Sequence, residues 1–284
     1  MKRFSIALVV VILIFTSCKS QNQSQNIKVM TYNIRLDVAS DGENVWPNRK
    51  DFLSSQVLFY SPDIMGIQEA RPNQMTDLKT ALKDYKTIGI GRDGDSKGEY
   101  SAIFYNTKKF KVEKESTFWL SETPNDVSKG WDAAYPRICT YGLFTDLKSS
   151  KKIWVFNAHL DHVGEEARTK GIELILSKIT SLNTKNYPVI FMGDFNSEPD
   201  SERIIALKKV MNDSRDISKT IPFGTSGTFN GFRYDEPVTR LIDYIFISKN
   251  AKFKVKKYAI LSDSKDFKNP SDHLPVYVNL KYNL

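Results

Sequence analysis

Cysteine and histidine are scarce in this chain of 284 residues, which has two cysteines and three histidines. The cysteines are Cys18 and Cys139, and Cys18 lies in a segment that we expect to be modified, so no disulfide is expected. With so little cysteine, a zinc site rich in sulfur is not indicated either. The sequence has no Pro/Gly-rich linker after residue 27 and no strong internal repeat, which favours one domain over two.

The bulk composition is that of an ordinary globular protein, with 40% hydrophobic and 26% charged residues. The formal net charge is +8. This surplus favours anionic partners, such as phosphates, nucleic acid or acidic lipid headgroups, but it does not choose among them. A soluble surface with a few extra lysines explains it equally well.

The N-terminus has the pattern of an export signal. Basic residues at positions 2 and 3 precede an apolar run over residues 6–15, which is shorter than the ~20 residues that a membrane-spanning helix needs. The run is followed by small residues and then Cys18, so the segment resembles a bacterial lipoprotein signal. The resemblance implies that residues 1–17 are removed and that Cys18 is lipidated. Plain secretion, with cleavage near Ser17, is the alternative.

Residues 18–26 contain almost only Ser, Gln and Asn after the cysteine and the lysine, so we expect a flexible tether there. The domain itself is expected over residues 27–284. This arrangement implies a protein exported across the inner membrane, located in the periplasm or anchored to the outer membrane, and touching lipid only through its anchor.

Hydrophobic periodicity predicts an alternating series of helices and strands. Helices are predicted at residues 48–60, 72–83, 165–182 and 201–210. Strands are predicted at residues 27–36, 63–68, 100–106, 110–120, 138–147, 153–160, 189–192, 241–248, 253–261 and 276–280. This order predicts an α+β fold in which two mixed sheets pack face to face with helices outside. Two long segments, residues 121–136 and 220–239, fit neither pattern, and they are either functional loops or surface variation.

Acidic and amide side chains concentrate at the ends of the predicted strands. The acidic and amide residues are Asn33, Glu69, Asp194, Asn196, Asp243 and Asp272, and His273 follows the last of them. Carboxylates and amides are hard oxygen ligands that suit Mg²⁺, Mn²⁺ or Ca²⁺. Ionisable groups at strand ends are typical of the sites of α/β proteins. The spacing alone therefore predicts a hydrolase with a divalent metal.

Six motifs in order resemble the endonuclease/exonuclease/phosphatase superfamily, the DNase I-like group. They are Met30-Thr-Tyr-Asn-Ile-Arg35, Gly66-Ile-Gln-Glu69, Asn157-Ala-His-Leu-Asp-His162, Gly193-Asp-Phe-Asn196, Leu241-Ile-Asp-Tyr-Ile-Phe246 and Ser271-Asp-His-Leu-Pro-Val276. The resemblance covers residues 30–276 and implies a four-layer sandwich. It is to a bacterial secreted or lipoprotein subgroup whose substrate the motifs do not specify.

The resemblance also implies a role for each matched residue. Glu69 is the expected principal metal ligand, with Asn33 and Asp272 close to the metal, which is one or two ions of Mg²⁺, or Mn²⁺ or Ca²⁺. Asp194 and Asn196 are expected to point at the scissile phosphate and the attacking water.

The expected proton-handling residues are the two histidines of the matched motifs. His273 is expected to act as a general base or a phosphate contact, held by Asp243. His159 is expected on the leaving-group side with Glu99 as its partner. Arg137 either clamps a phosphate oxygen or forms a structural ion pair.

The implied activity is metal-dependent hydrolysis of a phosphodiester or phosphomonoester by in-line attack of an activated water, carried out by a monomer. A nuclease and a small-molecule or lipid-headgroup phosphatase are close competitors within this class. An inactive binding lipoprotein on the same scaffold is the alternative from another class. That alternative predicts the loss of at least one site residue, and all of them are present.

Overall fold

A computed structural model describes residues 26–282 of the chain. The strands are β1 (Asn26–Asn33), β2 (Ile64–Gln68), β3 (Tyr85–Ile88), β4 (Ile103–Asn106), β5 (Phe110–Trp119), β6 (Ile138–Asp146), β7 (Lys152–His159), β8 (Val189–Asp194), β9 (Met211–Asp213), β10 (Asp243–Ser248), β11 (Phe253–Ile260) and β12 (Val276–Tyr282). The helices are α1 (Trp46–Tyr60), α2 (Pro72–Ala81), α3 (Glu165–Leu182) and α4 (Glu202–Val210), with a 3₁₀ helix at Ala39–Asn44.

The strands form two six-stranded mixed sheets. The order is β11-β12-β1-β2-β4-β3 in the first sheet and β5-β6-β7-β8-β10-β9 in the second. Each sheet has one parallel pair, β1 with β2 and β7 with β8, and its other pairs are antiparallel. The parallel pairs bring the carboxyl ends of four strands together, and ligands of α/β proteins bind at such an edge.

The four layers are held together by two apolar clusters, one of which fills both the interface between the sheets and the interface of the second sheet with α3 and α4. Along β1, Val29 belongs to the core between the two sheets, while Met30 belongs to the core beneath α1 and α2. Since successive side chains of a strand point to opposite faces, β1 is buried on both sides. Helices α3 and α4 cover the second sheet with Ile175 and Leu207, among others. The four-layer sandwich predicted from the sequence is therefore confirmed.

A buried amide forms hydrogen bonds between the two sheets. Asn157 of β7 donates hydrogen bonds from Nδ2 to the carbonyls of Ile67 and Ala102, both at 2.9 Å, and its Oδ1 accepts one from Gln68 Nε2 at 2.7 Å. A side chain at position 66 would collide with this amide, because a Cβ on Gly66 would lie 2.6 Å from Asn157 Oδ1. Glycine at this position therefore permits the close approach of the two sheets.

The predicted helices all form, with ends that shift by at most two residues. The strand prediction missed β3 and β9, which have four and three residues, and it also missed the 3₁₀ helix. Such short segments carry too few residues to show a period. Cys139 is free and fully buried, as expected of a small apolar side chain.

The N-terminal predictions lie mostly outside the described residues. The signal at 1–17, Cys18 and the tether up to residue 25 are outside, as are residues 283–284. Strand β1 begins at Asn26, one residue before the expected start of the domain. Among residues 26–282, no helix has both the length and the apolar character needed to cross a bilayer.

Candidate active site

A pocket of about 580 Å³ opens at the carboxyl ends of the two parallel strand pairs. Its lining residues are Arg35, Leu36, Glu69, Arg71, Arg92, Glu99, Tyr135, Arg137, His159, His162, Asp194, Asn196, Phe229, Arg240, Ile242, Asp272 and His273. Most of the residues predicted from the sequence are in this set. Asn33 and Asp243 are fully buried and lie behind it, bonded to pocket residues.

The acidic side of the pocket is organised by Asn33 at the end of β1. Its Nδ2 donates to Glu69 Oε1 at 2.8 Å and to Asp194 Oδ2 at 3.0 Å, so one amide links carboxylates from both sheets. Glu69 follows β2 in a left-handed conformation, with φ of 67°. This conformation is unfavourable for a residue with a side chain, and such strain concentrates at functional sites. The second oxygen of Glu69 accepts the backbone N–H of Leu36 at 3.1 Å.

Three side chains are arranged so that they could hold a metal ion. Glu69, Asp194 and His273 each offer a ligand atom, and these atoms lie within 4.8 Å of one another. Two oxygens and one nitrogen suit a hard or borderline divalent cation. Asp272 lines the pocket outside this group, and Asn33 directs its amide nitrogen, rather than its oxygen, at the carboxylates.

The buried carboxyl groups carry a surplus of negative charge that a cation would compensate. Burial, together with the nearby Asp243, raises the pKa of Asp194 to about 7. Burial likewise raises the pKa of Asp272 to about 6, and the charge of Glu69 adds to the effect. Residues at this edge therefore fit a divalent cation both in donor type and in charge.

His273 is oriented by a carboxylate, as the sequence predicts. Its Nδ1 donates to Asp243 Oδ2 at 2.9 Å, and its Nε2 lies 3.7 Å from Asp194 Oδ2. Burial alone would lower the pKa of His273, but Asp243 and Asp194 outweigh it and raise this pKa to about 10. The ring edge of Phe229, from the loop after β9, packs against the imidazole at a centroid distance of 5.1 Å.

His159 has partners that differ from the expected one. Asn196 Nδ2 lies 3.1 Å from His159 Nε2 and also donates to the carbonyl of Leu160 at 3.0 Å. The carbonyl of Leu160 can only accept a hydrogen bond, so the group that faces it must be the NH₂ of the Asn196 side chain. The second N–H of that NH₂ points at His159 Nε2, which therefore accepts. Burial, and next the positive charge of Arg137, keep the pKa of His159 well below its usual value.

The expected pairing of Glu99 with His159 is wrong. Glu99 instead accepts a hydrogen bond of 2.8 Å from Arg92 Nη1, and its other oxygen lies 2.8 Å from Arg92 Nη2 in the same ion pair. A guanidinium matches both oxygens of a carboxylate at once, and this geometry outcompetes a single bond to a neutral imidazole. Sequence spacing did not reveal Arg92, since its partner is seven residues away in an irregular segment.

Arg137 forms the ion pair that was one of its two expected roles. Its Nε donates to Asp161 Oδ2 at 3.1 Å, and its Nη2 lies 2.9 Å from His162 Nδ1. Asp161 also accepts backbone N–H bonds from Val163 and Gly164 just before α3. Burial would raise the pKa of Asp161, but these bonds and Arg137 lower it to about 2. Arg137 also lines the pocket, so the phosphate-contact role stays a prediction.

Five contacting side chains form another part of the pocket lining. We call them the arginine–tyrosine wall: Arg92, Glu99, Tyr135, Arg137 and His162. Tyr135 stacks on His162 with ring centroids 6.0 Å apart, and the Arg92 guanidinium lies 4.9 Å from the Tyr135 centroid. Tyr135 comes from the long segment at residues 121–136, whose aromatic content and length were the only signal in the sequence.

Comparison with known proteins identifies the family. The model of the endonuclease/exonuclease/phosphatase family matches residues 30–273. One crystal structure is that of a family member from Bacteroides thetaiotaomicron, which is 38% identical to this chain. The match includes 92% of this chain and 100% of the Bacteroides chain, with a TM-score of 0.87. A mannosyl-6-phosphatase from the same organism is 39% identical, with coverages of 89% and 99% and a TM-score of 0.85.

A probable RNA exonuclease from Saccharomyces cerevisiae is a more distant relative. It is 25% identical over 207 residues, which make up 66% of this chain but only 40% of the yeast protein. The matched region of the family model contains each of the six motifs up to His273. The chain therefore belongs to the endonuclease/exonuclease/phosphatase family and is a hydrolase acting on phosphoric ester bonds.

Proposed function

We propose that this protein is a divalent-metal-dependent phosphomonoesterase that acts on a small phosphorylated sugar. The observation that carries the proposal is the shape and lining of the pocket. Its volume of about 580 Å³ lies within the range of roughly 300–1,000 Å³ that is typical of small-molecule sites. The similarity to a mannosyl-6-phosphatase along nearly the whole length of both chains supports the same substrate class.

The charges of the pocket suit a phosphate monoester. A monoester near neutral pH carries up to two negative charges, and the guanidinium groups of Arg71 and Arg137 are among those that line the pocket. A guanidinium can give two parallel hydrogen bonds to phosphate oxygens. Arg137 is partly committed to Asp161, but within residues 26–282 its Nη1 has no hydrogen-bond partner.

A metal held by Glu69, Asp194 and His273 would neutralise charge on the phosphoryl oxygens and polarise the phosphorus. The protein's own groups position the reaction around it. Asn33 fixes Glu69 and Asp194 relative to each other, and Asn196 fixes His159. These groups are set before substrate arrives, which lowers the reorganisation needed during the reaction.

Proton transfer falls to the buried groups at the centre of the pocket. Both nitrogens of His273 are committed, Nδ1 to Asp243 and Nε2 to the proposed metal, so the proton of the attacking water goes to Asp194, whose Oδ2 lies 3.7 Å from His273 Nε2. Asp194 takes this proton as the bond to phosphorus forms. His159, neutral and bonded to Asn196, lies 3.5 Å from the same Oδ2 of Asp194.

The test is hydrolysis by residues 19–284 of two monoesters, mannose 6-phosphate and p-nitrophenyl phosphate, followed by phosphate release, and of two diesters, bis-p-nitrophenyl phosphate and a single-stranded oligoribonucleotide, followed by release of nitrophenol and by shortening of the strand. Each substrate is assayed with Mg²⁺, Mn²⁺ or EDTA. We expect release from the two monoesters, its loss in EDTA, and a loss of about 100-fold or more in Glu69→Gln. Glu173→Gln, on the exposed face of α3, is the matched control and should retain activity.

Preferential cleavage of the oligoribonucleotide would reject the proposal in favour of a nuclease, the second candidate. The distant similarity to a probable RNA exonuclease and the net charge of +8 favour that candidate. A nuclease should lose affinity steeply as salt concentration rises, whereas a phosphatase for small substrates should not. No turnover of any substrate, together with no metal binding by calorimetry, would support an inactive binding scaffold.

We also propose that the protein is exported and anchored through a lipid on Cys18, which the N-terminal sequence supports. Expression in a bacterium with a labelled fatty acid tests this. Labelling should require Cys18, so Cys18→Ser should abolish it and Cys139→Ser should not. Labelling that survives in Cys18→Ser, or none in the native sequence, would favour plain secretion.

A further inference from the structure

We propose that the arginine–tyrosine wall is the binding site for the alcohol part of the substrate, and that this alcohol is a ring rich in hydroxyl groups, as in a hexose 6-phosphate. The inference rests on the proposed function, since it concerns the same pocket. It assigns the preference for a sugar to Tyr135 and His162, which lie outside the catalytic and metal-binding groups.

The wall is rigid because each member contacts the next. Glu99 forms an ion pair with Arg92 through both of its oxygens, Arg92 lies over Tyr135, and Tyr135 stacks on His162. At the other end, His162 bonds to Arg137, which is 5% exposed and anchored by the buried Asp161. Side chains held on both sides keep one geometry and lose little entropy on binding.

The free groups of the wall match hydroxyl chemistry. The Arg137 guanidinium can only donate, so His162 Nδ1 must accept and His162 Nε2 carries the proton. Tyr135 lines the pocket and is half exposed, so a ligand can reach its side chain. The carboxylate of Glu99 retains lone pairs beyond those used by Arg92. Sugar hydroxyls both donate and accept, so they need such mixed partners.

The same contacts disfavour a nucleobase at this position. A base would be bound by stacking on an open aromatic face. Tyr135 already uses its ring against Arg92 and His162, and Phe229 across the pocket is packed against His273 and Arg240. Hydrogen-bonding groups, rather than ring faces, are therefore what the wall offers to a ligand.

The position of the wall places it next to the leaving group. Arg92, Glu99 and Arg137 surround His159 in an adjoining hollow, and His159 bonds to Asn196 beside Asp194. A phosphate held between the acidic group and Arg137 would direct its ester oxygen along the wall toward Tyr135.

The experiment measures binding of two non-hydrolysable ligands by calorimetry with Mg²⁺ present: mannose bearing a 6-phosphonate, and methylphosphonate. Both carry the same anion, so the ratio of their affinities isolates the sugar. We expect the native protein to bind the sugar phosphonate at least about tenfold more tightly, from one or two hydrogen bonds to the wall. Tyr135→Ala should remove most of this preference while leaving methylphosphonate affinity unchanged, and His162→Ala should also reduce the preference.

Tyr234→Ala is the matched control, because Tyr234 is also about half exposed, at 46% against 50% for Tyr135, but does not line the pocket. It should keep the full preference. Tyr135→Phe retains the ring contacts and removes only the hydroxyl, so a partial loss in this variant would show that the effect is not a folding defect. No preference in the native protein, or an equal loss for both ligands in Tyr135→Ala, would overturn the inference.

The outcome is independent of turnover. A sugar preference that depends on Tyr135, without phosphate release from mannose 6-phosphate, would support the wall and reject the proposed reaction. Phosphate release without such a preference would support the reaction and reject the wall.

Discussion

Replacing Asp161 with alanine should destabilise the protein strongly, although this residue was not among those predicted to act in the site. Its carboxylate is the buried partner of Arg137, at 3.1 Å, and the Arg137 side chain is only 5% exposed. It also accepts two backbone N–H bonds, at 2.9 and 2.8 Å, where the chain enters α3. The substitution therefore leaves a buried cation and two backbone donors without their acceptor.

The expected loss in the free energy of unfolding is about 4 kcal/mol. Removing one partner of a buried ion pair costs roughly 3–5 kcal/mol. The lower part of this range applies here, because His162 Nδ1 still accepts from Arg137. The lost backbone bonds resemble the loss of a helix cap, which costs about 1 kcal/mol. Urea unfolding followed by tryptophan fluorescence would measure the change.

A second substitution separates the cost of an unpaired charge from the cost of lost packing. Adding Arg137→Met to Asp161→Ala should restore about 1–3 kcal/mol, because the unpaired guanidinium is gone. Asp84→Ala is the control, since Asp84 pairs with Lys108 on the surface, where such pairs contribute about 0–1 kcal/mol. A loss below about 1 kcal/mol in Asp161→Ala, or a double variant less stable than the single one, would refute the reasoning.

Three further outcomes follow from the geometry. Gly66→Ala should destabilise the protein by about 1–3 kcal/mol in thermal unfolding, since its Cβ would lie within 2.8 Å of side chains on the facing sheet. Gly171→Ala is the comparison, because the neighbours of its Cβ lie at 3.5 Å, and it should be neutral or stabilising by up to about 1 kcal/mol. The folded-state pKa of Asp161 is lowered from 3.8 to about 2, so the stability that its carboxylate contributes is fully present above pH 3.8 and is lost as pH falls toward 2. An Asp161→Asn variant should therefore lose less stability than the native protein over this pH range. An equal loss in the two proteins would contradict the assignment. Asp243→Asn should lower kcat about 100-fold or more with little change in KM, since it disturbs the orientation and proton of His273, and it should also lower stability because Asp243 is the buried partner of that imidazole. Steady-state kinetics on protein shown by circular dichroism to be folded would measure the effect, and a raised KM with kcat retained would contradict the assignment.

The predictable part of the site consists of residues next to strong strand patterns. Glu69, Asp194 and His273 each follow or precede an apolar strand, and parallel strands place their carboxyl ends at one edge. Their convergence could therefore be anticipated from local patterns and motif order. The hydrogen bond from His273 to Asp243 was likewise expected, and the structure has it.

The partners of Glu99 could not be predicted in this way. Which of several nearby cations and imidazoles a carboxylate contacts depends on distances of a few tenths of an ångström. Arg92 is the partner of Glu99 in the structure because its planar guanidinium contacts both carboxylate oxygens. Nothing in the spacing of the sequence encodes that competition.

By itself, the sequence determined the helices, the longer strands, the four-layer order and the acidic edge of the site, because hydrophobic periodicity and motif order are local properties of the chain. The tertiary structure decided the arginine–tyrosine wall, whose members Arg92, Tyr135 and His162 come from three separate segments. It also decided how closely the sheets approach at Gly66. Contacts between segments far apart in the chain depend on packing in three dimensions, and no local pattern carries that information.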